Sequence, residues 1–101
     1  MAAVSILRLS VVHEQNCTVL YAAGDIDIST APQLRELLDE LTGNVIVDLT
    51  DVTFLESQGL TVLIAAQKRL LEHRADLRLR NPKGSVRRAL QLAGNHAWID
   101  D

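Results

Sequence analysis

Aromatic side chains are nearly missing from this sequence: one Trp, one Tyr and one Phe in 101 residues. A chain so poor in rings has little surface on which to stack bases or sugars, which argues against single-stranded nucleic acid and carbohydrate as ligands. Cysteine occurs once, at Cys17, so no intramolecular disulfide can form, and its place in an apolar run reads as a small strand residue and not as a redox centre. Long hydrophobic runs are absent too. No stretch reaches the roughly 18 apolar residues that span a bilayer, and the opening MAAVSILRLS lacks the basic-then-apolar layout of a secretory signal. The expectation is a cytoplasmic protein without membrane insertion. A net charge of -3 gives no global attraction to nucleic acid or to an anionic membrane, so a protein or a small molecule is the expected partner.

What is present is an ordinary globular composition, 48% hydrophobic and 23% charged, in a length suited to one domain over residues 1–101. Residues 4–12 and 17–23, VSILRLSVV and CTVLYAA, are β-rich runs joined by the polar HEQN, as in a hairpin. In GDIDISTAPQ, Thr30 and Gln33 have the spacing of a capping box, with Pro32 in the first turn of a helix. Leu34, Leu37, Leu38 and Leu41 then form one helical stripe that ends at Gly43. NVIVDLT, 44–50, reads as a central strand covered on both faces. Helical spacing returns from Gln58 to Arg74, with Leu60, Leu63, Ile64, Leu70 and Leu71 on one broad face and Gln67, Lys68, Glu72 and Arg74 elsewhere.

DLRLR, 76–80, alternates as a strand with Leu77 and Leu79 inward. A third helix follows Pro82, carries Val86, Ala89, Leu90 and Ala93, and stops at Gly94; AWI at 97–99 reads as an edge strand. The order β-β-α-β-α-β-α-β predicts an α/β fold: a mixed, mostly parallel sheet of four to five strands, opened by an antiparallel pair and packed with helices.

In such sheets, ligands and partners meet the carboxyl ends of the strands and the helix starts that follow them. Two loops qualify, Gly24–Thr30 with Asp25 and Asp27, and Thr50–Gly59 with Asp51, Glu56 and Ser57, while Asp48 stands just before the second. Acids before helices are favoured by capping and by the helix dipole, and that explains most such residues. Asp25, Asp27 and Asp48 match no metal-loop spacing, and no metal or cofactor is expected. No GxSxG elbow accompanies His13, His73 and His96, which read as surface residues, and no Gly-rich phosphate loop is present, so an enzyme is not expected. Arg80, Lys83, Arg87 and Arg88 form a basic cluster that reads as a solvated face or, more sharply, as a patch for an acidic partner; Trp98 reads as a cover for a core edge. Ser57 is either a helix N-cap or a site of modification.

The order of these motifs resembles that of STAS domains, the family of anti-sigma factor antagonists and of the cytosolic domains of sulfate transporters, over nearly the whole chain. GDIDISTAP at 24–32, VDLTDVTFLESQGLTVL at 47–63 and LRLRNPKGSVRRALQLAG at 77–94 carry the resemblance. It implies an antagonist that binds an anti-sigma factor when bare, so freeing the sigma factor, and that lets go when Ser57 is phosphorylated. The partner it implies is itself a serine kinase of the histidine-kinase-like ATPase type, which would supply the nucleotide and the metal. Asp25, Asp27, Thr30, Glu56, Ser57, Gln58, Gly59 and Leu60 are the partner-binding residues implied by position. Glu56 stands where the family pattern has Asp, and Gln58 replaces a second hydroxyl residue, so Ser57 is the one acceptor in the motif. The chain ends near where family members commonly add a last helix, and the surface this would leave open points to self-association as a homodimer or to a covering partner. A second function compatible with the resemblance is an accessory subunit of a membrane transport complex, bound to its ATPase without phosphoregulation.

Overall fold

The computed structural model describes residues 5–100; Val4, where the sequence places the start of the first strand, lies outside them. Strand β1 (Leu7–His13) and strand β2 (Thr18–Ile26) form an antiparallel hairpin, with Leu9 opposite Ala22 and Val11 opposite Leu20. Helix α1 (Ala31–Glu40) leads into β3 (Val45–Leu55), helix α2 (Ser57–Glu72) into β4 (Leu77–Arg80), and α3 (Gly84–Leu92) into a short 3-10 turn at His96–Trp98. The sheet order follows the chain, β1-β2-β3-β4, with β2, β3 and β4 mutually parallel. The two crossovers step the same way along the sheet, and their helices α1 and α2 pack against each other, as two connections of one hand on one face do.

The core is aliphatic, as the shortage of rings demands. Leu20, Leu49, Leu77 and Leu79 from the sheet meet Leu34, Leu38, Leu63, Leu70 and Leu90 from the helices, and all are fully buried. Arg69 adds a polar tie: its Nη2 donates to the carbonyls of Leu38 at 2.7 Å and Leu41 at 3.1 Å, joining the last turn of α2 to the end of α1. The Leu38 carbonyl takes this bond beside the one from the Leu41 amide at 3.0 Å, whereas the Leu41 carbonyl lies past the helix end, where no following turn uses it.

Four expectations need correction. The Thr30–Gln33 capping box does not form: no side-chain hydrogen bond caps α1 at Thr30, and Gln33 reaches away to donate to the Leu7 carbonyl at 2.8 Å. Strand β3 runs on to Leu55 instead of yielding to a loop at Thr50, because a register shift against β2 between Tyr21 and Ala23 lets the polar DVTF segment keep pairing. The buried face of α2 is turned from the one its leucines suggest. Val62, Leu63, Ala66, Gln67 and Leu70 are buried, whereas Ile64 and Leu71 are exposed, and Gln67 is tolerated inside because its Nε2 donates to the Leu77 carbonyl. Finally, residues 97–99 make no strand: the chain turns as a 3-10 helix and touches β4 through one parallel bridge, Leu79 to Ile99. Trp98 packs, half-buried, against the core as expected.

Candidate functional site

The two loops expected at the strand ends meet through the backbone. The amide of Glu56, between β3 and α2, donates to the carbonyl of Ile26 at the end of β2, at 2.9 Å. This one bond fixes the Asp25–Thr30 segment beside the start of α2.

The loop before α1 is closed by its own polar groups. Oδ1 of Asp27 accepts from the amides of Ser29 (2.9 Å) and Thr30 (3.1 Å) and from the Ser29 hydroxyl (2.7 Å). Oδ2 of Asp27 accepts from the Ser5 hydroxyl just before β1. Those bonds, that of Ser5 first and that of Ser29 next, stabilise the carboxylate and lower its pKa to about 2 from an ordinary 3.8. Thr30 is buried and bridges the loop from below, its hydroxyl donating to the Asp25 carbonyl at 2.8 Å and accepting from the Asp27 amide at 2.9 Å. The Thr53 hydroxyl donates to Oδ1 of Asp25 at 2.6 Å, linking the loop to β3.

The start of α2 is built differently. Ser57 is the first helical residue, not the cap; Glu56 holds the cap position, in extended backbone, and makes no side-chain capping bond. Among the described residues the Ser57 hydroxyl has no hydrogen-bond partner, and only its carbonyl is engaged, by the Thr61 hydroxyl at 3.0 Å. Reading Ser57 as an N-cap is therefore corrected. Glu56, Ser57 and Gln58 are exposed and Leu60 is half-buried. Gly59 is buried, and the reason for glycine is steric: a Cβ there would sit 2.4 Å from Cγ2 of Ile26 and 2.7 Å from Cδ1 of Leu55. The missing side chain lets α2 descend onto the ends of β2 and β3 and so sets the height of Ser57 above the sheet.

Of the residues named from the sequence, Asp25, Asp27, Glu56, Ser57, Gln58 and Leu60 lie on this rim, whereas Thr30 and Gly59 lie beneath it and shape it. Asp48 is elsewhere. It sits mid-strand in β3, where Oδ2 accepts from Nε of Arg80 at 2.9 Å and Oδ1 accepts from the Thr50 amide. Burial opposes its ionisation, but the Thr50 bonds and Arg80 outweigh it and hold the carboxyl below its ordinary value. Arg80 also donates to the Tyr21 hydroxyl at 3.3 Å and so leaves the basic cluster; Nε of Arg87 donates to the Pro82 carbonyl. The three aspartates Asp25, Asp27 and Asp48 do not converge on a common point, and among the described residues no three His, Cys, Asp or Glu side chains form a metal-holding group. His13 and His73 are exposed, each beside a local oxygen, and Cys17 stays a free, half-buried thiol.

Two rim residues had escaped sequence reading. Ile28 and Phe54, on the two segments that the Glu56–Ile26 bond joins, are exposed apolar side chains. Ile28 is legible in retrospect as a lone apolar residue in a polar loop, which the core has no need to place there.

The sequence matches the STAS domain over residues 8–100, and the chain belongs to that family. It is 30% identical over 79 residues to the anti-sigma-B factor antagonist of Listeria monocytogenes, covering 74% of this chain and 69% of that protein. The anti-sigma-B factor antagonist of Bacillus subtilis is 29% identical over 97 residues, covering 93% of this chain and 89% of that one. Among solved structures, the fold matches the anti-sigma factor antagonist SpoIIAA in its unphosphorylated form, with a TM-score of 0.81, 20% identity and coverage of 93% and 87% of the two chains. The Bacillus SpoIIAA structure in its phosphorylated form matches with a TM-score of 0.74, 19% identity and coverage of 95% and 90%. Among the described residues, no helix is long and apolar enough to cross a membrane.

Proposed function

We propose that this chain is an anti-sigma factor antagonist, a binding protein without catalysis of its own, whose hold on an anti-sigma factor is switched by phosphorylation of Ser57. The carrying observation is the free hydroxyl of Ser57 at the first position of α2, exposed and required by no structural bond. The names of the Listeria and Bacillus relatives support the partner class, and the two SpoIIAA forms support phosphorylation as the switch.

The physics of such a switch needs no refolding. Phosphate would add about -1.5 to -2 charge at a helix N-terminus, where free backbone amides favour an anion. Within this chain it would meet no neutralising side chain from its own segment, since Arg35 is the sole Lys or Arg between Leu9 and Gln67. Glu56 and the carboxylates of Asp25 and Asp27 already make the rim acidic, so the added charge falls on any partner that docks there. A contact surface of Asp25, Asp27, Glu56, Ser57, Gln58 and Leu60, widened by the apolar Ile28 and Phe54, would be lost to repulsion and to the desolvation of a dianion. The kinase would be the anti-sigma factor itself, of the histidine-kinase-like ATPase type, bringing nucleotide and metal with it.

The test is incubation with the anti-sigma factor and ATP, read by intact mass and fragment mapping. Phosphate on Ser57, absent from Ser57→Ala, with the partner held by the bare form alone, is the expected result. Undiminished phosphate on Ser57→Ala would reject the site, and equal partner binding by both forms would reject the switch.

A further inference from the structure

The sheet has a second polar feature, on the face opposite α1 and α2. The pairing register aligns Arg8 of β1, Ala23 of β2 and Asp51 of β3 in one row across three strands. The next row on this face joins Ile6, whose carbonyl accepts from the Asp25 amide at 3.3 Å, with Asp25 and with Thr53. Together with Gly24 these residues line a hollow of about 390 Å³, within the range of small-molecule sites and at the carboxyl ends of the parallel strands.

Its floor is low for a stated reason. Ala23 contributes one methyl group, and Gly24, at φ +114°, contributes none; a Cβ at Gly24 would meet the Ile6 carbonyl oxygen at 2.2 Å. The banks stand two strand spacings apart, about 10 Å, with a guanidinium on one and a carboxylate on the other. The two do not reach each other. Among the described residues neither Arg8 nor Asp51 has an ion-pair or hydrogen-bond partner, although Arg78 and Arg80 each find an aspartate elsewhere on the sheet. Asp25 gives one carboxylate oxygen to Thr53 and keeps the other open.

We infer that this trough is a binding site for a small zwitterion that carries its carboxylate and its ammonium at opposite ends. The planar fork of Arg8 takes the carboxylate, Asp51 with the open oxygen of Asp25 takes the ammonium, and the intervening methylenes lie along Ala23 and Ile6. A ligand of one sign would be attracted by one bank and repelled by the other, so the separation of charge selects for both ends together.

Amide NMR with 5-aminovalerate, and with valerate and cadaverine as chain-matched probes of a single sign, tests the assignment. Saturable shifts at Arg8, Ala23, Gly24, Asp51 and Thr53 with 5-aminovalerate, and binding at least about fivefold weaker for either single-sign probe, are expected. Arg8→Gln and Asp51→Asn, exposed substitutions whose folding is read from the rest of the spectrum, should each weaken 5-aminovalerate by a similar factor. No saturable shift up to about 10 mM, equal binding of valerate or cadaverine, or unchanged binding by both variants would overturn it.

Discussion

The two helices on one face of this sheet begin in opposite ways. At the start of α1, the polar groups from Asp25 to Thr30 are tied to one another, to Ser5 before β1 and to Thr53 in β3. At the start of α2, neither the Glu56 side chain nor the Ser57 hydroxyl caps anything, and the element is positioned by one backbone bond, from the Glu56 amide to the Ile26 carbonyl, and by the packing of Gly59 against Ile26 and Leu55. Polar closure makes the first helix start a scaffold. The second is left with a hydroxyl free for chemistry, and this division of labour is what the proposed switch requires.

The comparison breaks first at Gly59. Gly59→Ala should destabilise by about 1–3 kcal/mol through overpacking against Ile26 and Leu55, seen as a lower denaturant midpoint, and should also slow phosphorylation by lifting Ser57. Thr30→Val keeps the shape of the buried side chain but strands the Asp27 amide and the Asp25 carbonyl, so a loss of about 1–2 kcal/mol is expected in the same assay. Asp27 gives a smaller effect, visible only in acid. Its folded pKa of about 2 lies below the ordinary 3.8, so its stabilisation is fully present above pH 3.8 and disappears as pH falls toward 2. In Asp27→Asn, the fall in stability across that window should be shallower than in the parent. Ser57→Ala should be smallest of all, within about 0.5 kcal/mol of the parent, because no cap is removed; a loss above about 1 kcal/mol would return the serine to a structural role.

Much of the fold was legible because its elements obey simple periods. The Leu34–Leu38–Leu41 stripe and the alternation of Leu77 and Leu79 each imply one environment, and these side chains are buried as their spacing demands; the apolar run of β3, expected to be covered on both faces, has α1 and α2 on one, and Ile46 on the other stays half-buried. The misreadings share a cause, since each concerns a polar or exposed group whose partner lies far along the chain. Gln33 had a carbonyl of β1 to reach and Gln67 a carbonyl of β4, and neither is visible from within its own helix. Ile64 and Leu71 match the buried leucines in hydrophobicity, but the buried stripe runs through Gly59, Val62, Leu63, Ala66 and Leu70, and they lie beside it in solvent. At the site, the position of Ser57 was legible from its motif, whereas its freedom from capping was not. A local sequence cannot distinguish a first helical residue from the cap that precedes it, because the two differ by one backbone turn.

The tie from Arg69 to the last carbonyls of α1 has a consequence for motion. Helix ends ordinarily open on their own, and their amides exchange with solvent long before the middle of an element does. Here the final turn of α1 is anchored to the last turn of its neighbour, so its closing amide, that of Leu41, should exchange in step with the end of α2. The two helix ends then open together, at the far end of α2 from Ser57.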